Sequence, residues 1–254
     1  YVVTIGGIDP AVVPGKRLTI HTDDGPVLGV TGATAIHLRD KNKSNENVRQ
    51  MHELFVDVGA TSKDQVVKKG IKIGDAITFV DDFEMIDKNI CVARALDNRI
   101  GTWIAAETLR LIKESKQKPK VAVHAASCVQ EEVGLRGAYM SAIQIKPDMA
   151  LVTDVGHATD SPGIDARKHG KTKLGGGPII SFGGAMLPEM TDRLINIAEK
   201  KKISVQRLAE PGASGTDADS FFKASGGAAT ALVALPIRYM HTTVEMTDLR
   251  DMER

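Results

Sequence analysis

Two adjacent carboxylates, Glu131 and Glu132, sit just beyond the apolar run 121–129. That run reads as a buried strand. Acids where a strand leaves its sheet are poor packing material, because ionised side chains stay out of interiors unless they are paired or bind metal. The pattern recurs downstream. The apolar run 149–153 ends in Asp154, and the run 228–235 is soon followed by Tyr239, Met240 and His241. A further acid, Asp97, opens an amphipathic helix. In an open α/β sheet the loops leaving the carboxyl ends of strands converge on one crevice. Asp97, Glu131, Glu132, Asp154 and His241 are therefore expected to meet there. Hard oxygen ligands with one imidazole suit zinc, cobalt or manganese.

Each residue also has a plainer explanation. Asp97 or its neighbour Asn98 could be the helix N-cap, Glu131 and Glu132 a solvated pair on a turn, Asp154 a turn starter and His241 a structural histidine. All of them lie at element ends on the same expected edge, which coincidence explains poorly. Ser214, Gly215, Thr216 and Asp217 join a strand to a helix on that edge. Thr216 and Asp217 either contact substrate or cap the helix. His157, close to Asp154, is given at most an outer supporting role. Gly170-Lys171-Thr172 resembles the end of a phosphate-binding loop, but the glycine required five positions earlier is Asp165, so the match fails. No Gly-x-Ser-x-Gly nucleophile elbow occurs.

The elements that must position these groups follow from periodicity. Residues 1–80 carry short β signals, with a hairpin turn at Asp23-Asp24-Gly25-Pro26 and one helix from Ser62 to a stop at Gly70. Such spacing predicts a small inserted β-barrel domain, with the polar stretch 39–49 as a mobile surface loop. From residue 81 strands alternate with helices: helix 97–116, strand 121–129, helix 138–143, strands 149–153 and 178–182, helix 188–202, strand 203–208, helix 218–225 and strand 228–235. That order predicts an α/β domain over 81–254, an α/β/α sandwich around a mainly parallel sheet.

Composition narrows the function. With 33 basic and 32 acidic side chains and a net charge of +1, the chain has no basic surface bias toward nucleic acid. No apolar stretch approaches the roughly 20 residues of a membrane helix. Cys91 and Cys128 both lie in apolar runs and read as free thiols of a reducing cytoplasm. The chain opens in mid-strand at Tyr1 without Met and stops inside a helical turn at Arg254, which reads as a domain incomplete at both ends.

These motifs resemble those of the tetrahedral aminopeptidases, dinuclear metallopeptidases also described as glutamyl or deblocking aminopeptidases. The resemblance is carried by Leu96-Asp97-Asn98-Arg99-Ile100-Gly101, Gln130-Glu131-Glu132-Val133-Gly134-Leu135-Arg136-Gly137-Ala138, Thr153-Asp154-Val155, Gly215-Thr216-Asp217-Ala218 and Arg238-Tyr239-Met240-His241-Thr242. Ile5-Gly6-Gly7-Ile8-Asp9-Pro10 and Phe55-Val56-Asp57-Val58-Gly59-Ala60 are similar to the family's inserted β-domain, so the likeness spans nearly the whole chain.

The resemblance implies two zinc or cobalt ions, with Asp97 bridging them, Glu132 and His241 completing one site and Asp154 serving the other. It implies Glu131 as the general base on the water between them. It also implies short peptide substrates and a homo-oligomer, a hollow tetrahedral dodecamer. The family's His-x-Asp motif, whose histidine serves the Asp154 metal, would lie upstream of Tyr1. Two readings therefore stand beside each other: a metal-dependent aminopeptidase, and a catalytically impaired fragment or non-catalytic assembly subunit. A glycosidase ranks last, because adjacent Glu131 and Glu132 do not obviously straddle a sugar bond and the reading leaves Asp154 and His241 unused.

Overall fold

The computed structural model describes residues 1–253 except 34, 39–49 and 117, so the expected loop at 39–49 lies outside the described residues. The chain divides into two compact units: Tyr1–Asp82 with His241–Thr243, and Phe83–Met240 with Val244–Arg254.

In the first unit, β1 (Arg17–Thr22) and β2 (Gly25–Val30) form a hairpin whose last register pair is Thr22 with Gly25. The Thr22 hydroxyl donates to the Gly25 carbonyl at 2.7 Å and holds the turn closed. Helix α1 (Lys63–Lys68) starts on the Ser62 hydroxyl, which accepts from the Gln65 amide. Strand β3 (Ala76–Phe79) pairs antiparallel with β1 and gives the order β2-β1-β3. Leu18 and Ile20 alternate inward along β1 and are buried. The segment 53–58 joins this unit through one bridge, Val30 with Asp57, and through the buried Leu54, whose carbonyl accepts from the Val2 amide, while Phe55 faces solvent.

The second unit opens with β4 (Glu84–Met85), β5 (Ile90–Ala93) and the long α2 (Leu96–Glu114). Then come α3 (Arg136–Ile145), β6 (Met149–His157), α4 (Ala166–His169), β7 (Ile179–Gly183), α5 (Pro188–Lys201) and β8 (Gln206–Glu210). It closes with α6 (Ala218–Lys223), β9 (Ala229–Ile237), β10 (Glu245–Asp248) and α7 (Leu249–Met252). Strands β4, β5 and β10 make a small antiparallel sheet, and the main sheet runs β6-β9-β7-β8. Its β6–β9 and β7–β8 pairs are parallel, whereas β7–β9 is antiparallel.

Strand periodicity separates the two faces of the main sheet. Val155, Leu235 and Ile237 pack with Leu96 and Ile100 at the start of α2. Val152 and Leu232, of opposite parity, pack with Ala218 of α6. Helices thus bury both faces of a mainly parallel sheet, which is the α/β/α arrangement expected from the alternation of elements.

One expectation fails. Among the described residues the run 121–129 pairs with no strand, and Val121 and Val129 are 63% and 69% exposed. Apolar residues favour a strand only where a ladder partner and a covered face exist. The run is instead tied at its end, where the Val129 carbonyl accepts from the Gly137 amide at 2.9 Å.

Helix α2 lies so close to β6 that a Cβ on Gly101 would fall 2.6 Å from the Thr153 carbonyl and 2.3 Å from the Asn98 amide oxygen. Gly101→Ala is expected to destabilise the protein by about 1–3 kcal/mol or more, as overpacking does. Urea unfolding checks this; a midpoint equal to wild type would mean that α2 stands farther from β6.

Candidate metal centre

Asp97 lies within the span of α2, yet its backbone and that of Asn98 are not helical (φ −76°, ψ 108° and φ −121°, ψ 51°). The regular helix starts after them. Asn98 does the capping: its side-chain oxygen accepts from the Gly101 amide at 2.9 Å and its amide donates to the Thr153 carbonyl at 2.9 Å. The Thr153 hydroxyl returns a bond to the Gly101 carbonyl at 2.9 Å. The cap of the regular helix is thus supplied by Asn98. Its own amide donates to Glu245 Oε2 at 3.1 Å, and Glu245 is 2% exposed.

Glu131 and Glu132 occupy a single 3-10 turn, Glu131–Val133, flanked by left-handed residues at Gln130 (φ 59°), Gly134 (φ 116°) and Leu135 (φ 56°). Non-glycine residues adopt this conformation only when their surroundings impose it, and they gather at functional sites. His241 is also left-handed (φ 62°), in the connection between β9 and β10. Asp154 lies within β6 rather than beyond it, buried, with its Oδ1 accepting from the Val155 amide at 2.8 Å.

These placements bring predicted ligands together. Asp97, Glu132 and His241 each offer a ligand atom, all within 4.8 Å of one another, the only such group of three among the described residues. Asp154 and Glu131 are close enough for charge to couple them to the same cluster. Burial pushes the Glu131 carboxyl up to about 8, with the charges of Asp154, Glu132, Asp217 and Asp97 adding to the rise. Burial likewise raises Asp154 to about 7, opposed by the Val155 N–H and reinforced by Asp97, Asp217 and Glu132. Every charged neighbour acting on these two groups is an anion. Such a concentration of like charge is stable in its ionised form only beside cations. Two carboxylates and one imidazole fit a borderline divalent ion such as zinc or cobalt.

Thr216 and Asp217 follow different paths. The Thr216 hydroxyl accepts from the Ala218 amide at 3.2 Å and lies 2.8 Å from the Ser214 hydroxyl, so it shapes the loop. Asp217 stands at the N-cap of α6 without capping it. His157 is exposed at the end of β6.

The M42 glutamyl aminopeptidase family model matches residues 1–254. The chain belongs to that family. As an M42 member it is a peptidase, a hydrolase of peptide bonds. It is 31% identical over 254 residues to the lysyl aminopeptidase of Pyrococcus furiosus, covering 99% of this chain and 71% of the relative. Aminopeptidase APDkam598 of the archaeon Desulfurococcus kamchatkensis superposes with a TM-score of 0.86 at 36% identity, over 98% of this chain and 68% of that one. The TET1 peptidase of Pyrococcus horikoshii, which can assemble into a tetrahedron or a large octahedral shell, matches with a TM-score of 0.80 at 30% identity, over 98% and 71%.

Sequence reading offered Asn98 as an alternative cap but assigned no role to Thr153 or Glu245, which bond the backbone of Gly101 and Asp97.

The raised carboxyls of this M42 chain make its metal-free stability depend on pH. Glu131 keeps its proton in the folded chain up to about 8, whereas the unfolded chain releases it near 4.5. The folded form thus binds more protons across that window, and stability falls as pH rises through it. The Tm of chelator-treated protein is expected to drop between pH 5 and pH 8, and adding zinc should reverse the drop. A Tm that rises over the same range would mean that these carboxyls do not crowd one another.

Proposed function

We propose that the chain is a metal-dependent aminopeptidase that removes N-terminal residues from short peptides, with Glu131 as its general base. The observation that carries this reading is the meeting of Asp97, Glu132 and His241 donor atoms within 4.8 Å, beside a Glu131 that is not in that group. Asp97, Glu132 and His241 would hold one divalent ion, and Asp97 with Asp154 would offer carboxylates to a second, zinc or cobalt. Bound there, the ions would polarise the scissile carbonyl, make water acidic enough to attack near neutral pH and return Glu131 to its ionised form.

Glu131 then accepts the proton of the attacking water and delivers it to the nitrogen of the leaving amine. The left-handed frame around the turn keeps that carboxyl apart from Glu132 while sharing its backbone. The family's assembled members support a homo-oligomeric enzyme of the tetrahedral kind. Among the described residues no helix is long and apolar enough to cross a membrane, and the two free thiols support a cytoplasmic setting. The expectation of no nucleic-acid partner stands on the near-neutral charge alone.

Glu131→Gln is expected to leave bound metal unchanged and to lower kcat by about 10²–10⁴, the usual contribution of a positioned base. Elemental analysis alongside aminoacyl-substrate kinetics checks both halves. Turnover at the wild-type rate would remove Glu131 from the chemistry.

The ligand count favours a second reading, a chain that holds one ion and does not turn over peptides. Among the described residues a single three-ligand group forms, and Asp154 lies outside it. Two tightly held ions per chain, with activity lost on chelation and regained with zinc or cobalt, are expected of the enzyme. One ion and no peptidase activity would establish the alternative.

A further inference from the structure

The histidine of the candidate centre is held by groups far from it along the chain. His241–Thr243 fold as part of the first unit. Both His241 (φ 62°) and Tyr239 (φ 60°) are left-handed, a conformation that persists only where the surroundings impose it. Gly7 belongs to those surroundings. A β-carbon built on it would lie 3.0 Å from Nδ1 and 3.2 Å from Cε1 of the His241 ring. Among the described residues, chain neighbours aside, these are the only atoms within 4 Å of that position. Non-bonded carbons pack best at about 3.5–4.0 Å, so any side chain here would push the imidazole aside. Gly7 is not left-handed, so its own backbone gives no reason for a glycine. The space it leaves is used by the ring. Its segment is anchored close by, with the Asp9 carboxylate accepting from the Ala11 amide at 2.8 Å and Val13 buried.

Lys16 holds the loop from another side. Its ammonium donates to the Thr243 hydroxyl at 2.6 Å and to the Asp81 carboxylate at 2.8 Å. Thr243 is 3% exposed and follows His241 by two residues. The backbone of Lys16 is itself fixed: its carbonyl accepts from the Thr31 amide at 3.0 Å, beside a bond of 2.7 Å from the Gly15 amide to the Thr31 carbonyl. As an ion pair, Lys16 with Asp81 is partly exposed and adds little stability. Its effect lies in where it fixes Thr243. A metal-ligating histidine depends on such outer groups for its orientation, and losing one typically costs about 10–100-fold in metal affinity.

We propose that Gly7 and Lys16 are positioning residues for His241, setting the direction from which its imidazole meets a divalent ion. The role rests on the reading of Asp97, Glu132 and His241 as ligands of that ion. Neither residue is a ligand: Gly7 bounds the ring, and Lys16 fixes the turn that carries it. The first unit thereby takes a share in the chemistry, and a glycine and a surface lysine with no other evident duty acquire one.

The test titrates cobalt(II) into the full chain and follows the visible absorption band, whose position and intensity report ligand geometry. Gly7→Ala and Lys16→Met are each expected to weaken cobalt binding about tenfold to a hundredfold. Both should also alter the band, with a metal-free Tm close to that of wild type. Thr243→Val should reproduce the Lys16→Met loss, and the double variant should lose no more than the larger single loss, because both remove one bond. A Gly7→Ala or Lys16→Met chain that keeps the wild-type affinity and band overturns the role of that residue, even if its metal-free Tm falls. Additive losses in the double variant overturn the route from Lys16 through Thr243. The two readings fail separately. A His241→Ala chain that binds cobalt as wild type does removes the metal reading itself. Cobalt binding that collapses in His241→Ala but is unchanged in Gly7→Ala and Lys16→Met removes only the positioning role.

Discussion

Crowded negative charge is the constraint around which this chain is organised. Burial and mutual repulsion hold Glu131 and Asp154 protonated far above the ordinary carboxyl range. No arrangement of apolar neighbours would relieve that. Cations would, and the surrounding scaffold brings ligand atoms of Asp97, Glu132 and His241 within 4.8 Å of one another. The sheet supplies Asp154, the break at the head of α2 supplies Asp97, and a single left-handed-framed turn supplies Glu131 and Glu132. Stability and chemistry pull in opposite directions here. The metal-free fold tolerates the acids by keeping protons on them, whereas the proposed reaction needs those protons gone.

Much of the architecture was legible in the order of elements. The alternation of apolar runs with helical stripes after residue 81 gives the two-faced sheet, because opposite-parity residues of one strand must find cover on both sides. Val152 and Val155 in β6 do so, against different helices. The same reasoning misjudged the run 121–129. Hydropathy reports what a segment would bury, not whether a neighbour is there to pair with it, and its valines remain exposed.

The site was legible in its residue types but not in its backbone. Acids at element ends pointed to Asp97, Glu132 and His241, and the structure gathers their ligand atoms. Sequence left the cap of α2 open between Asp97 and Asn98, and Asn98 takes it; no sequence signal marked the left-handed Gln130 and Leu135 that flank the turn of the adjacent glutamates. A left-handed Gln or His leaves no compositional trace, whereas a glycine there would have been noticed. Glu245 was hidden for a different reason: a buried acid holding a backbone amide looks like any other polar residue of a short strand.

The pairing of scaffold and chemical duties on adjacent residues has a consequence for how such a gene decays. Asn98, beside Asp97, keeps the start of α2 intact whatever happens to its neighbour. A single nucleotide change can therefore silence the chemistry while the product still folds. Cellular quality control removes chains that unfold, not chains that are merely inert. Silent copies of this kind would persist and mix with working ones, and their abundance in a cell would say nothing about their activity.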